Sequence, residues 1–206
     1  MTTTSRAGTA QLTERQEARR RRILQATAEL AGRGGFDAVQ MREVAEQAGV
    51  ALGTLYRYFP SKVHLLVATL QDQLRQLHET LRKRPPTAAE PGARVAQTLL
   101  RAFRALQREP QLADAMVRAL IFADRSVSPE VEVASRLTSA IILDAMGAEG
   151  RPSPEQLSVA RVIEHTWHAA LITWLSGRAS SAQVRTDIET VCRLVDAQGD
   201  GPRQRG

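Results

Sequence analysis

The chain carries a single cysteine, Cys192, in 206 residues. That excludes an intramolecular disulfide framework and a cysteine-rich zinc site. Aromatic residues amount to only 4%, so any local concentration of them asks for a reason. No uncharged apolar run is long enough to span a bilayer. No apolar stretch follows the basic residues of the N-terminus, as a secretory signal would need, and a cytoplasmic location is expected. Period-two alternation of β-branched residues is missing, which argues against a sheet-based core. The groups of catalysis are sparse too. Gly32, Gly34 and Gly35 follow a helical pattern rather than a strand, so they make no phosphate loop. Aspartates and glutamates are scattered singly, with no pair that demands acid–base work. Glu164, His165 and His168 cluster on one helix, but no third ligand is near in sequence and no H-E-x-x-H motif appears. They read as a satisfied or exposed histidine pair. His64 and His78 stand isolated. Cys192 has no evident general base and reads as a buried structural thiol. The expectation is a protein that is not an enzyme and holds no cofactor and no metal.

What is present is a charge asymmetry. The formal net charge is +6, and residues 1–84 carry 14 Lys+Arg against 8 Asp+Glu, while residues 85–206 carry 14 of each. The whole excess lies in the first two-fifths of the chain. A polyanion-binding head on a neutral body would look like this. So would arginines that merely solvate a helix face.

Ala, Leu, Arg, Glu and Gln dominate, and nearly every segment reads as helix. Residues 1–12 lack apolar periodicity and read as a flexible arm. Thr13 is a plausible N-cap for a long helix to about Gly32, with Ile23, Leu24, Thr27, Ala28, Leu30 and Ala31 on one face. The run GRGGF, Gly32–Phe36, ends it. Short helices follow at about Met41–Ala48 and Ala51–Phe59. Pro60 stops the second, and Ser61 caps a long helix to about Arg84. RPPTAAEPG, Arg84–Gly92, is the clearest break and coincides with the end of the charge excess. The expected domains are therefore 13–84 and 85–206. Helices are expected beyond it at about Ala93–Arg108, Gln111–Ala123, Pro129–Met146, Pro154–Ser176 and Ser180–Val195, with prolines at their starts. The fold class is all-α, with about nine helices.

Helix, glycine-containing turn, helix over Met41–Phe59 matches a helix-turn-helix. Val44, Ala45 and Val50 are spaced to pack the short helices against the first long one, and Leu55 and Phe59 face the same core. Leu52, Thr54, Tyr56, Arg57 and Tyr58 point elsewhere. A second helix of this kind enters the major groove by its N-terminal part. Gly53 permits close backbone approach. Tyr56 offers a ring for a thymine methyl and a hydroxyl for phosphate. Arg42 can reach guanine with its bidentate fork, and Lys62 suits a phosphate. The alternative is that Tyr56 and Tyr58 are half-buried core residues. Arg57 is either a further DNA contact or a solvated cation.

The segment Arg20–Leu70, with Gly53, Thr54, Leu55, Tyr56, Tyr58, Phe59, Ser61 and Lys62 in the pattern G-T-L-Y-x-[YH]-F-x-[ST]-K, resembles the DNA-binding domain of TetR-family transcriptional regulators. The resemblance implies that Arg42, Leu52, Gly53 and Tyr56 face bases and that Thr54, Tyr58 and Lys62 hold phosphates. Gln40 departs from the family, in which a capping Thr is common. The stretches AVQMREVAEQAGVALGTLYRYFPSKVHLLV, DAMVRALIFAD (Asp114–Asp124) and ARVIEHTWHAALITWLSGRAS (Ala160–Ser180) are similar to KstR-type repressors of cholesterol catabolism in actinobacteria.

The C-terminal pattern reads as an apolar helical bundle able to close a pocket. Phe103, Met116, Leu120, Phe122, Leu137, Ile141, Trp167, Leu171 and Trp174 are its bulky candidates for ligand binding. Core or subunit interface is the other reading for each. TetR-family resemblance implies a homodimer through the last two long helices and a palindromic double-stranded DNA operator. KstR-type resemblance implies a hydrophobic small-molecule effector, a steroid acyl-CoA thioester, whose phosphates need cations. Arg118, Arg125 and Arg178 are available. A regulator of drug efflux or fatty-acid metabolism with a different hydrophobic ligand is the alternative.

Overall fold

The computed structural model describes residues 3–148 and 150–199, and the side chains of 14–148, 150–194 and 196. Among them are nine α-helices and no strand: α1 Thr3–Ala38, α2 Met41–Gln47, α3 Leu52–Tyr58, α4 Lys62–Lys83, α5 Pro91–Arg108, α6 Pro110–Ile121, α7 Ser128–Met146, α8 Pro154–Leu175 and α9 Ser181–Gly199, with a 3-10 turn at Arg125–Val127. The all-α expectation holds, and most helix ends fall within two residues of those read from the pattern.

The largest departure is at the N-terminus. α1 begins at Thr3, not at Thr13. Residues 3–12 hold no proline and include Ala7, Ala10, Gln11 and Leu12, so a helix once nucleated propagates through them. Residues 1 and 2 of the expected arm, and residues 149 and 200–206, lie outside the described residues. The GRGGF break is real but internal. Gly34 and Gly35 leave helical geometry (φ −153°, ψ 24° and φ 69°, ψ −158°), and a last helical turn follows to Ala38.

Two compact units form. The first is residues 1–72 with 111–127, so it holds α1–α3, the start of α4, nearly all of α6 and the 3-10 turn. Its core is built on Ile23, Leu24, Val39, Val44, Leu55, Leu65, Leu66 and Val67, all 1% exposed or less. The second is residues 73–110 with 128–206. There α5 packs on α7 and α9, and α8 on α7 and α9, around Val95, Phe103, Ile142, Ile163, Val184 and Ile188.

The boundary thus falls inside α4 at Asp72, ahead of the expected junction at residue 84, and the second stretch returns to the first unit. The proline-rich break is not a linker because α5 side chains hold its backbone. The Arg101 guanidinium donates to the Arg84 carbonyl (2.6 Å), Gln97 Oε1 accepts from Thr87 N–H (3.0 Å), and Arg94 donates to the Ala89 carbonyl. A segment so bonded belongs to the unit that bonds it.

Helix starts follow local chemistry. Ser153 and Gln156 form a reciprocal capping box on α8, at 3.1 and 2.8 Å, with Pro154 in the first turn. α5 has no such local cap: its N-cap Glu90 makes no side-chain bond. Instead Asp196, far along α9, accepts the Gly92 N–H at 2.7 Å.

Candidate nucleic-acid interface

The turn between α2 and α3 is made by Gly49, whose φ is +64°. The Gly49 N–H donates to the Glu46 carbonyl (3.1 Å) and the Val50 N–H to the Ala45 carbonyl (2.9 Å). This is the paired bonding of a Schellman stop. A Cβ at Gly49 would meet nothing within 4 Å, so backbone handedness alone demands glycine. Gly49→Ala is expected to cost roughly 1–2 kcal/mol. That corresponds to a melting midpoint lower by about 2–8 °C, read in a thermal melt.

The start of α2 is unusual. Gln40 is its N-cap, but makes no side-chain cap bond. Its amide turns back and donates to the Asp37 carbonyl at 2.9 Å. The side chain of Gln40 therefore serves the end of α1 and does not cap α2. Arg33 donates to Gln47 Oε1 at 2.7 Å, and Gln47 donates to Glu29, which ties α2 to α1. An open cleft of about 650 Å³ lies here, lined by Leu30, Arg33, Asp37, Ala38, Gln40, Glu43, Glu46 and Gln47. Its three carboxylates make it a poor seat for an anion.

α3 divides by face. Leu55 and Phe59 are buried, as are Val44, Ala45 and Ala48 of α2 and the turn before α3. Tyr56 is 47% exposed, while Arg42, Gly53 and Arg57 are also exposed and Leu52, Thr54, Tyr58 and Lys62 are half-buried. The spacing therefore brings the seven expected DNA contacts onto the solvent side of α2, α3 and the start of α4. Tyr56 is not a core residue. Tyr58 is intermediate, its ring 6.2 Å from that of Phe59. Gly53 would present a Cβ to nothing within 4 Å. Arg20 of α1 lies 5.7 Å from the Phe59 ring centroid and joins the end of α3 to α1.

Ser61 Oγ accepts from the His64 N–H at 3.4 Å and lies 2.9 Å from His64 Nδ1. Lys62 opens α4, its ammonium 4.1 Å from the Phe36 ring centroid. Burial pushes the Lys62 pKa below its ordinary value, Asp37 pulls it up and Arg118 pushes it down. The grouping of Phe36, Asp37 and Arg118 around Lys62 was not legible in the sequence. Asp37 and Arg118 are 81 residues apart, and no local pattern links them.

The candidate ligand residues divide between the units. Met116, Leu120 and Phe122 fall in the first; Phe103, Leu137, Ile141, Trp167, Leu171 and Trp174 fall in the second. Met116 is buried, Leu120 half-buried and Phe122 half exposed, its ring 5.2 Å from Phe36. Phe103, Ile141, Trp167 and Leu171 are buried, and Phe103 meets Trp174 edge-on at 5.0 Å. Of the arginines considered for an effector's phosphates, Arg118 is ion-paired to Asp37 at 2.9 Å. Arg178 donates to Ser176 Oγ at 2.8 Å, and Arg125 is exposed in the 3-10 turn.

The histidines differ in their surroundings. His78 is not isolated: its Nε2 lies 2.7 Å from an Asp144 carboxylate oxygen. Glu164 is buried and accepts from Ser139 Oγ at 3.1 Å. Burial lowers the His168 pKa, against the pull of Glu164. Among the described residues no group of three or more His, Cys, Asp or Glu side chains is arranged to hold a metal ion. Cys192 is 1% exposed, and burial pushes its thiol up to about 12. Among the described residues no helix is long and apolar enough to cross a membrane.

Fold and site define a class: an all-helical transcriptional regulator with an N-terminal helix-turn-helix. Residues 23–69 match "Bacterial regulatory proteins, tetR family" and residues 87–195 match "Tetracyclin repressor-like, C-terminal domain". The chain belongs to the TetR family. It is 44% identical over 189 residues to the HTH-type transcriptional repressor KstR of Rhodococcus jostii RHA1, covering 92% of this chain and 87% of that protein. Its structure is similar to a TetR transcriptional regulator from Rhodococcus sp. RHA1 at TM-score 0.82 and 39% identity, over 88% of this chain and 97% of that one. Thermus thermophilus FadR, a TetR-family repressor in complex with lauroyl-CoA, shares the fold at TM-score 0.66 and 23% identity, over 90% and 96% of the two chains.

Proposed function

We propose that this chain is a homodimeric, cytoplasmic repressor that binds a palindromic operator through α3 and leaves it when a steroid-derived acyl-CoA binds, controlling sterol catabolism. One observation carries the DNA part. Tyr56 stands 47% exposed on a helix whose opposite face, Leu55 and Phe59, is buried. A ring held outward by a rigid, well-packed helix is suited to a groove. Arg42, Leu52, Gly53 and Tyr56 are assigned to bases, and Thr54, Tyr58 and Lys62 to phosphates.

The sterol part rests on the likeness to KstR, which runs through 92% of the chain and so includes the second unit as well as the helix-turn-helix. The lauroyl-CoA held by a FadR of the same fold supports the acyl-CoA class. Release follows from linkage: an effector that prefers the arrangement of the dimer that DNA does not must weaken DNA binding by the same free energy. α4 carries that linkage along the chain.

Tyr56→Ala is expected to lose about 5–150-fold in operator affinity, the range of one good base contact, with dimerisation and effector binding intact. Fluorescence anisotropy on an operator duplex reads it, and wild-type affinity in the variant would remove α3 as the reading helix. The effector is tested by thermal shift with steroid acyl-CoAs, fatty acyl-CoAs and cationic drugs. At about a hundred times its Kd a true effector stabilises by about 2.7 kcal/mol. A shift with fatty acyl-CoA alone overturns the sterol assignment.

A further inference from the structure

Two cations share the Phe36 ring. The Lys62 ammonium lies 4.1 Å from its centroid and the Arg118 guanidinium carbon 4.8 Å. Like charges so placed repel, and the attraction of each to the ring face works against that repulsion. Arg118 has further holds. Its Nη1 donates to Asp37 Oδ2 at 2.9 Å, lies 3.8 Å from Asp114 Oδ2, and its guanidinium also faces Phe122 at 5.7 Å. The ring of Phe122 in turn meets Phe36 edge-on. Lys62 has the ring, and the attraction of Asp37 acts on it through space. The arrangement divides the available partners. Arg118 takes the carboxylate and Lys62 takes the aromatic face.

We infer that Arg118, by occupying the Asp37 carboxylate, is the positioning residue that keeps the Lys62 ammonium on Phe36 and open to a DNA phosphate. The inference rests on the proposal that Lys62 makes a phosphate contact. A cation on a ring face keeps its charge unneutralised. A cation paired with a carboxylate does not, and a phosphate must displace that carboxylate first. Losing the Arg118 charge removes the repulsion on Lys62 and frees the Asp37 carboxylate at once. Both changes draw the ammonium to Asp37. Arg118 thus acts on DNA binding without touching DNA, from a helix outside the helix-turn-helix.

The test uses the full chain and a duplex selected from randomised DNA by the wild-type protein, with binding measured across a salt series. Lys62→Met makes the slope of log affinity against log salt shallower by about 0.9, one phosphate's worth. Arg118→Met keeps an aliphatic stem over the rings and removes the charge. It flattens the slope in the same way, and its loss of affinity is no larger than that of Lys62→Met. Lys62→Met/Arg118→Met binds no worse than Lys62→Met alone. Adding Asp37→Asn to Arg118→Met restores affinity and slope, a rescue that a structural role for Arg118 does not give. Arg118→Lys, which keeps the charge, binds close to wild type.

Wild-type binding by Arg118→Met, losses that add in the double variant, or no rescue by Asp37→Asn each overturn the inference while the phosphate reading stands. A salt slope unchanged by Lys62→Met overturns the phosphate reading and this inference with it.

Discussion

Gly92→Ala is expected to destabilise the second unit by about 3 kcal/mol, the upper part of the usual range for overpacking. In a chain of this size that lowers the melting midpoint by roughly 6–12 °C. A Cβ built on Gly92 would lie 2.1 Å from the Cys192 carbonyl oxygen and 2.6 Å from Asp196 Oδ2. Asp196 can swing aside, but only by giving up the Gly92 N–H it accepts at 2.7 Å. The Cys192 carbonyl is fixed in the backbone of α9, which packs on both α5 and α8. Relief therefore means moving a helix, and a close-packed interior resists that. Asp196→Ala separates the two terms: it loses the cap and keeps the space, at about 1 kcal/mol. A melt of Gly92→Ala within a degree of wild type would mean that α5 and α9 do not approach this closely.

Arg94→Met is expected to cost about 3 kcal/mol, from hydrogen bonds of a charged donor worth about 1.5–3 kcal/mol each and partly replaced by water. One guanidinium donates to three carbonyls: Ala145 at 3.0 Å, Met146, and Ala89 before α5. Two of these are end-of-helix acceptors of α7, which have no partner within the helix. The positive charge also suits the C-terminal end of the helix dipole. A lysine supplies the charge but not the fork. In urea denaturation Arg94→Lys should therefore recover less than half of the loss. Full recovery by lysine would show that charge alone matters at this site.

These two joints explain why part of the molecule was legible in the sequence and part was not. The helix-turn-helix was readable because its determinants are local. The Gly49 and Val50 N–H groups stop α2 against carbonyls three and five residues back, respectively, and Leu55 and Phe59 share a face by being one turn apart. The capping box of α8 spans three residues, Ser153 to Gln156. Composition marked Arg84–Gly92 as a break, but it gave no sign that Arg94, Gln97 and Arg101 bind that break into the second unit. The His78–Asp144 contact and the Arg118–Asp37 pair join residues more than sixty positions apart, and α6 returns to the first unit only after residues 73–110 have gone to the second. Hydrophobic periodicity says which face of a helix is buried, never against which helix. Cys192, read as a structural thiol, is one, and its neighbour across the α5–α9 joint is a glycine because a methyl group would not fit.

The bond from Gly92 to Asp196 also orders events during synthesis. It joins positions 104 residues apart. Long-range closures of this kind form late and slowly. α1, α2, α3 and the start of α4 are all in hand by residue 72, and their first contacts are near neighbours in the chain. α5, by contrast, leaves the ribosome with an open N-terminal end and an uncovered apolar face. The end stays uncapped until α9 has followed it out, and α7 covers only part of the apolar face before then. A growing chain therefore holds a nearly formed helix-turn-helix while the second unit is still open, and chaperones would meet this protein chiefly as an exposed α5 waiting for its last helix.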